Sequence, residues 1–121
     1  MKFLITIITI IFSTNSFAEM TGNEIHELWQ SNNQYSIGEA NDYILGVIGT
    51  ISHFQQLEWQ GAEIEKRKPT YFLHVCFPEK VILKQPVDIV KNYIKNHPEF
   101  RNKPAIELAH ESLLEVWGCK K

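Results

Sequence analysis

Cys76 and Cys119 are the two cysteines of the chain, and His26, His53, His74, His97 and His110 are its five histidines. These are the side chains best suited to nucleophilic or metal chemistry, so their spacing comes first. A nucleophile needs a base held in place by a third group. Ser52 adjoins His53, and His110 runs into Glu111 and Ser112, but immediate neighbours on a helix point to different sides and cannot meet. His74 and Cys76 flank Val75 and offer two metal ligands, short of the four of a structural zinc site. Neither HExxH nor CxxC occurs. The residue pattern therefore supports no enzyme, no metal centre and no cofactor. What remains for the cysteines is each other, and an even count in an exported chain most simply forms one disulfide.

Export is suggested by the first stretch, MKFLITIITIIFSTNSFAEM. Lys2 supplies a positive start, Phe3 to Phe12 a predominantly apolar run, and Ser16-Phe17-Ala18 small residues at the two positions a signal peptidase inspects. Such a run is too short to span a bilayer, which takes about 20 residues. A cleaved signal over 1–18 is therefore favoured over a buried or anchoring N-terminal helix. Residues 19–121 then make one domain, with no stable membrane insertion after cleavage. The formal charge of the 121 residues is −2. A mildly acidic chain is a poor match for nucleic acid, which is held by clustered Lys and Arg. The one basic cluster, Glu65-Lys-Arg-Lys68, reads as a solvated loop.

The elements that must position these groups are helical. Thr21-Gly-Asn-Glu24 has the form of a capping box, ahead of Ile25, Leu28 and Trp29 at helical spacing. Ser36-Ile-Gly-Glu39 repeats the device before Ala40, Tyr43, Ile44, Val47, Ile48, Ile51 and Phe54, an amphipathic stripe. Gly46 and Gly49 interrupt that run at about 1 kcal/mol each against Ala, a cost that suggests close helix packing there. From Gln55 to Tyr71 the pattern dissolves into what reads as a long loop, and long loops tend to be functional or disordered. Trp59 within it is equally well a surface group with a purpose or the last anchor of the second helix. The stretch near 71–76 is rich in aromatic and β-branched residues and suits a short extended segment.

A third helix opens at Gln85-Pro86, carries Val87, Val90, Tyr93 and Ile94, and ends at His97, because a residue before proline resists the α region. Pro104 starts a fourth, with Ile106, Ala109, Leu113, Val116 and Trp117 as its expected buried face and Gly118 as its stop. Near-equal helices joined by a short connection favour an antiparallel hairpin. That geometry brings Cys76, ahead of the third helix, to Cys119, behind the fourth. Closing this loop is worth roughly 4 kcal/mol in the chain-entropy model. The expected fold is thus all-α: a small bundle of four or five helices closed by one disulfide. His97 and Arg101 in the proline corner read as cap and surface groups.

Tyr43-Ile44-x-Gly46-Val47, Cys76-x-Pro78, Tyr93-Ile94-xx-His97-Pro98-Glu99-x-Arg101 and Trp117-x-Cys119 occur in that order. Together they resemble the Rap/Tai family of type VI secretion immunity proteins. The resemblance implies a small periplasmic helical protein that binds and neutralises a toxin, in some cases a peptidoglycan amidase, and that often pairs as a homodimer. Its members are not regarded as enzymes. They often carry a second cysteine pair, but the corresponding stretches here read ELWQSNN and GEANDY, which should loosen the first helix. Occlusion of a toxin's cleft calls for aromatic or Arg anchors within a polar rim. On that reading Trp59, Gln60, Glu63, Glu65 and Arg67 are the candidate partner contacts, with the acidic members suited to a basic cleft. A different class, a periplasmic acid- or stress-related chaperone, fits the size and single disulfide. The 44% hydrophobic and 12% aromatic composition argues instead for a persistent core.

Overall fold

The computed structural model describes residues 19–69 and 74–119. The expected signal at 1–18 and residues 71–73 of the expected extended segment lie outside the described residues. The elements are α1 (Gly22–Gln30), α2 (Gln34–Ile64), α3 (Lys84–Asn96), a single 3-10 turn (Pro98–Phe100) and α4 (Ala105–Trp117). The fold is an all-α bundle of four helices, and Cys76 is bonded to Cys119.

α1 begins where its capping box lies. The Glu24 backbone N–H donates to Thr21 Oγ1 at 3.3 Å, and Glu24 Oε2 accepts from the Thr21 backbone N–H at 2.7 Å. The helix then sinks Ile25 and Trp29 into the core. Trp29 Nε1 donates to Asn41 Oδ1 at 2.8 Å, so a hydrogen bond joins the two stretches that lack the second cysteine pair. Lys91 Nζ lies 5.8 Å from the Trp29 ring centroid, a cation–π contact from α3.

α2 departs from expectation at both ends. Its N-cap is Asn33, whose Oδ1 accepts from the Tyr35 backbone N–H at 2.9 Å, so Ser36 falls inside the first turn. At the other end the helix does not stop at Phe54 but continues to Ile64. Its inward row runs Ala40, Ile44, Val47, Ile48, Gln55 and Ala62, and the last two are polar and small. That is why the apolar period fades while the helix persists. Gly46 and Gly49 are not packing sites, since a Cβ at either would meet nothing within 4 Å.

α3 and α4 form the expected hairpin. Val87, Val90 and Ile94 are buried, Tyr93 is half-buried, and His97 is the C-cap. α4 buries Ala109 and Leu113 and half-buries Trp117 as expected, but Ala105, Leu108 and Ser112 complete its inner face, whereas Ile106 and Val116 are exposed. The expected and observed faces both satisfy three-and-four spacing. The observed one keeps the Ser112 hydroxyl in the core because it donates to the Ala109 carbonyl at 2.9 Å.

The corner between α3 and α4 is a platform. Arg101 Nε donates to the Ile94 carbonyl at 2.8 Å and Nη2 to the Lys95 carbonyl at 2.6 Å, capping the end of α3. The Gly22 N–H donates to the Lys103 carbonyl and the Asn23 N–H to the Arg101 carbonyl, so α1 starts on this corner. Gly22 must lack a side chain, as a Cβ there would lie 2.5 Å from Leu108 Cδ1 and 3.0 Å from Arg101 Cα. At the opposite end Val75 and Gly118 make an antiparallel bridge. Cys76 N–H donates to the Trp117 carbonyl and Cys119 N–H to the His74 carbonyl, which sets the disulfide with Cα atoms 5.0 Å apart. The extended piece is thus a local bridge among the described residues.

Candidate partner-binding surface

Of the five candidate contacts, Trp59, Gln60 and Glu63 lie on the last turns of α2 rather than on a loop, and Glu65 and Arg67 lie in the turn that follows it. Trp59 and Glu63, four residues apart, share one row, while Gln60 points about 100° away around the helix. All three are exposed. Trp59 is held in place by His74, ring centroids 5.8 Å apart and the planes near perpendicular at 70°. The ring thus anchors the distal end of α2 on His74 while one face stays open to solvent.

Glu65 and Arg67 belong to the helix stop. The Lys66 N–H donates to the Glu63 carbonyl and the Arg67 N–H to the Ala62 carbonyl, the paired bonds of a Schellman motif. Lys66 takes the left-handed position of that motif at φ 53°. Arg67 then folds back with Nη1 and Nη2 donating to the two carboxylate oxygens of Glu58 at 2.7 and 3.0 Å, and Nε donating to Glu65. These partners, Glu58 first, raise the affinity of the guanidinium for its proton. Arg67 is therefore a tied clamp that fixes the helix end.

Above Trp59 the same helix borders a groove. Ile51, Phe54 and Gln55 of α2 face Ile106 and His110 of α4 across a cavity of about 410 Å³ whose walls also include His74. Phe54 is 64% exposed and Ile106 39%. Their spacing had placed both in the core, and that hid the groove. Apolar exposure concentrated beside a cleft marks an interaction surface. Gln55 forms part of its floor and spends its amide on the backbone of Val75: Nε2 donates to the Val75 carbonyl at 2.9 Å, and Val75 N–H donates to Oε1 at 2.6 Å.

The motif residues serve elsewhere. The Tyr93 ring stacks on His97 with centroids 4.2 Å apart, and Tyr93 Oη donates to Glu111 Oε2 at 3.5 Å. Burial and the Glu111 carboxylate push the Tyr93 phenol up. Phe100 extends the His97 stack, and Pro98 opens the 3-10 turn. Trp117 packs on Phe77, and the Pro78 carbonyl accepts from the Val81 N–H in the turn beyond Cys76. Tyr43 is half-buried against the core, its phenol pushed up by that burial. Gly46 stays open to solvent. Among the described residues, no group of three His, Cys, Asp or Glu side chains is placed to hold a metal ion. Nor is any described helix long and apolar enough to cross a membrane. The arrangement offers shape, charge and apolar contact rather than a reacting centre.

The family model of Rap1a immunity proteins matches residues 15–119. The chain belongs to this family. It is therefore an immunity protein, a class whose partner is a toxin and whose members are generally not enzymes. No curated protein and no solved structure matches the chain. Family membership and the disulfide both point to an exported Rap1a protein.

Proposed function

We infer that this Rap1a protein works in the periplasm, delivered there by a cleaved signal over residues 1–18. It neutralises a type VI secretion toxin by covering the toxin's cleft with a preformed helical surface. Residues 19–121 act as one domain. A peptidoglycan amidase is the toxin class this reading favours, because a periplasmic immunity protein guards the compartment in which such an enzyme meets its substrate. The carrying observation is an exposed apolar surface on α2 and α4 in a member of an immunity family, on helices already held in place. The disulfide and the α1–corner contacts hold those helices before any partner arrives, so little ordering entropy opposes binding. Trp59, Gln60, Glu63, Glu65 and Arg67, on and just after the last turns of the same helix, are proposed as further partner contacts beside the groove rather than in its lining. A homodimer would present it twice.

Co-expression tests the reading. A type VI secretion effector from the same genome is directed to the periplasm, with this chain either exported or kept in the cytosol. Growth is rescued by the exported form alone if the reading is right. Lysis in both cases overturns it. Release of peptide stems from purified peptidoglycan by that effector, and its arrest by the chain, checks the amidase class.

A further inference from the structure

α2 is anchored unevenly along its length. Its first half buries Ala40, Ile44, Val47 and Ile48, but past Ile48 its buried residues are Gln55 and Ala62. Arg67 clamps Glu58 and Glu65, so it fixes the helix end to itself rather than to the bundle. The far end of α2 meets a short strap, residues 74–76. Gln55 gives both ends of its amide to Val75, and the Trp59 ring sets itself on His74. The strap is tied in turn to the end of α4 by the Cys76 N–H to the Trp117 carbonyl, the Cys119 N–H to the His74 carbonyl, and the covalent link between the two cysteines. A relay of contacts thus runs from the sulfurs through Val75 and His74 to Gln55 and Trp59. Cys76 is exposed and Cys119 half-buried, so the bridge is open to a reductant.

We propose that Cys76–Cys119 is a redox control on the far end of α2: its reduction unties the strap from α4 and frees α2 from Gln55 onward. The toxin-facing surface is then complete only in the oxidised chain. This last step rests on the immunity reading above, in which Trp59, Gln60 and Glu63 are partner contacts. The chemistry is thiol–disulfide exchange with a dithiol. One of its thiolates attacks Cys76 Sγ, the bond between the sulfurs breaks, and Cys119 leaves as a thiolate. The second thiol of the reductant then displaces Cys76 and closes the reductant's own disulfide. Two electrons pass to the chain, and its two thiolates take up the two protons that the reductant loses. The rest of the bundle does not hang on the strap. Ile25, Ile44, Val90, Ile94, Leu108 and Leu113 are buried together, and α1 starts on the corner at the opposite end from the sulfurs. Segments with few buried apolar contacts open before such a core does.

Amide hydrogen exchange, read residue by residue on the full-length exported chain before and after dithiothreitol, tests the relay. On reduction residues 56–64 should exchange within about tenfold of an unstructured peptide, while α1, α3 and α4 keep protection of about a hundredfold or more. Gln55→Leu cuts the relay with the bridge intact. It should expose the same residues, and reduction should then change their exchange by less than about threefold. Residues 56–64 that stay protected on reduction overturn the proposal. So does loss of protection in all four helices together, which would make the bridge a staple of the whole bundle. A full effect of reduction in Gln55→Leu overturns it as well, because the relay would be bypassed. Binding is measured with Cys76→Ser/Cys119→Ser, so that no reductant reaches the effector. The Kd for the effector that the exported chain neutralises should weaken about tenfold or more. A Kd within about twofold of wild type overturns redox control of the surface and leaves the immunity role standing. A chain that neutralises no effector overturns the immunity reading, and hydrogen exchange still decides whether the bridge governs α2.

Discussion

Gln55→Leu removes one side-chain amide from a nearly dry site. Gln55 is 7% exposed, and Val75, whose N–H and carbonyl it serves, is 1% exposed. Leucine has a similar bulk, so packing changes little. Two hydrogen bonds vanish, at 2.6 and 2.9 Å, and both Val75 backbone groups lose the partners they have in α2. Leaving a buried donor or acceptor unpaired costs about 1–3 kcal/mol each. Burying the extra apolar surface of leucine returns about 1–2 kcal/mol. The net expectation centres on a loss of about 2–3 kcal/mol, a large share of the roughly 5–15 kcal/mol that holds a small protein together. In a chain of this size that lowers Tm by about 10–25 °C. Urea and thermal unfolding under non-reducing conditions measure it, with exposed Gln56→Leu as the control. A loss below about 0.5 kcal/mol, the range of ordinary surface substitutions, refutes the claim that this amide stands in for a missing strand.

Gln55→Glu sharpens the same case. A carboxylate still accepts from the Val75 N–H but sets negative charge against the Val75 carbonyl, so the folded state favours the protonated acid and raises its pKa. Stability is then fully present below the unfolded value of about 4.3 and is lost as pH rises through the folded pKa. The Glu variant should recover on acidification and the Leu variant should not. Parallel pH profiles for the two would show that the Val75 carbonyl does not depend on residue 55.

The remaining predictions use the same unfolding assay. Gly46→Ala and Gly49→Ala should each stabilise by up to about 1 kcal/mol, because the new methyl meets open space. Gly22→Ala should cost about 1–3 kcal/mol, since its methyl must displace Leu108 or the corner backbone. Reduction of Cys76–Cys119, which closes 43 residues, should remove roughly 4 kcal/mol. Unchanged melting with reductant would show that the bridge Val75–Gly118 suffices without the sulfurs. Burial first, and the charge of Arg101 second, hold the His26 pKa below its usual 6.5. The contribution of His26 is therefore present above pH 6.5 and lost as pH falls through the folded value, and His26→Gln should flatten that part of the acid limb.

The hairpin was legible because its limits are written in residues with few options: the proline pair at 98 and 104, and Gly118 behind Trp117. The first capping box was legible because its two partners are three residues apart and self-sufficient. The end of α2 was not. Beyond Phe54 its inward side chains are Gln55 and Ala62, which carry no apolar signal although one is hydrogen-bonded to Val75 and the other packed. The inner face of α4 was legible at Ala109 and Leu113 but not at its edges, for a related reason. Ile106 and Val116 look like core by hydropathy, and only the packed structure shows that Leu108 and Ser112 take the inner positions. A count of periodicity treats every large apolar residue as core, so it conceals those held out for contact. Phe54 and Ile106, the lips of the groove, were concealed in this way.

Frame and contact surface are consequently separable in this chain. Cys76, Pro78, Tyr93, His97, Pro98, Arg101, Trp117 and Cys119 carry most of the resemblance to the family, and all lie on the α3–α4 hairpin or at its sulfur-closed end. Arg101 caps α3, the His97 ring packs between Tyr93 and Phe100, and the Trp117 carbonyl receives the Cys76 N–H. None of them lines the groove between α2 and α4. Membership thus accounts for the stiffness of the bundle but not for the choice of toxin. The Trp29–Asn41 hydrogen bond extends the point: it ties α1 to α2 in a member without the second cysteine pair. The frame can use a half-buried hydrogen bond where the resemblance implies a covalent link, because either serves to hold a helix in place. If the groove between α2 and α4 meets the toxin, as proposed above, it has no such freedom, since its side chains must match the surface of another protein, and it is there that immunity proteins built on one frame would diverge.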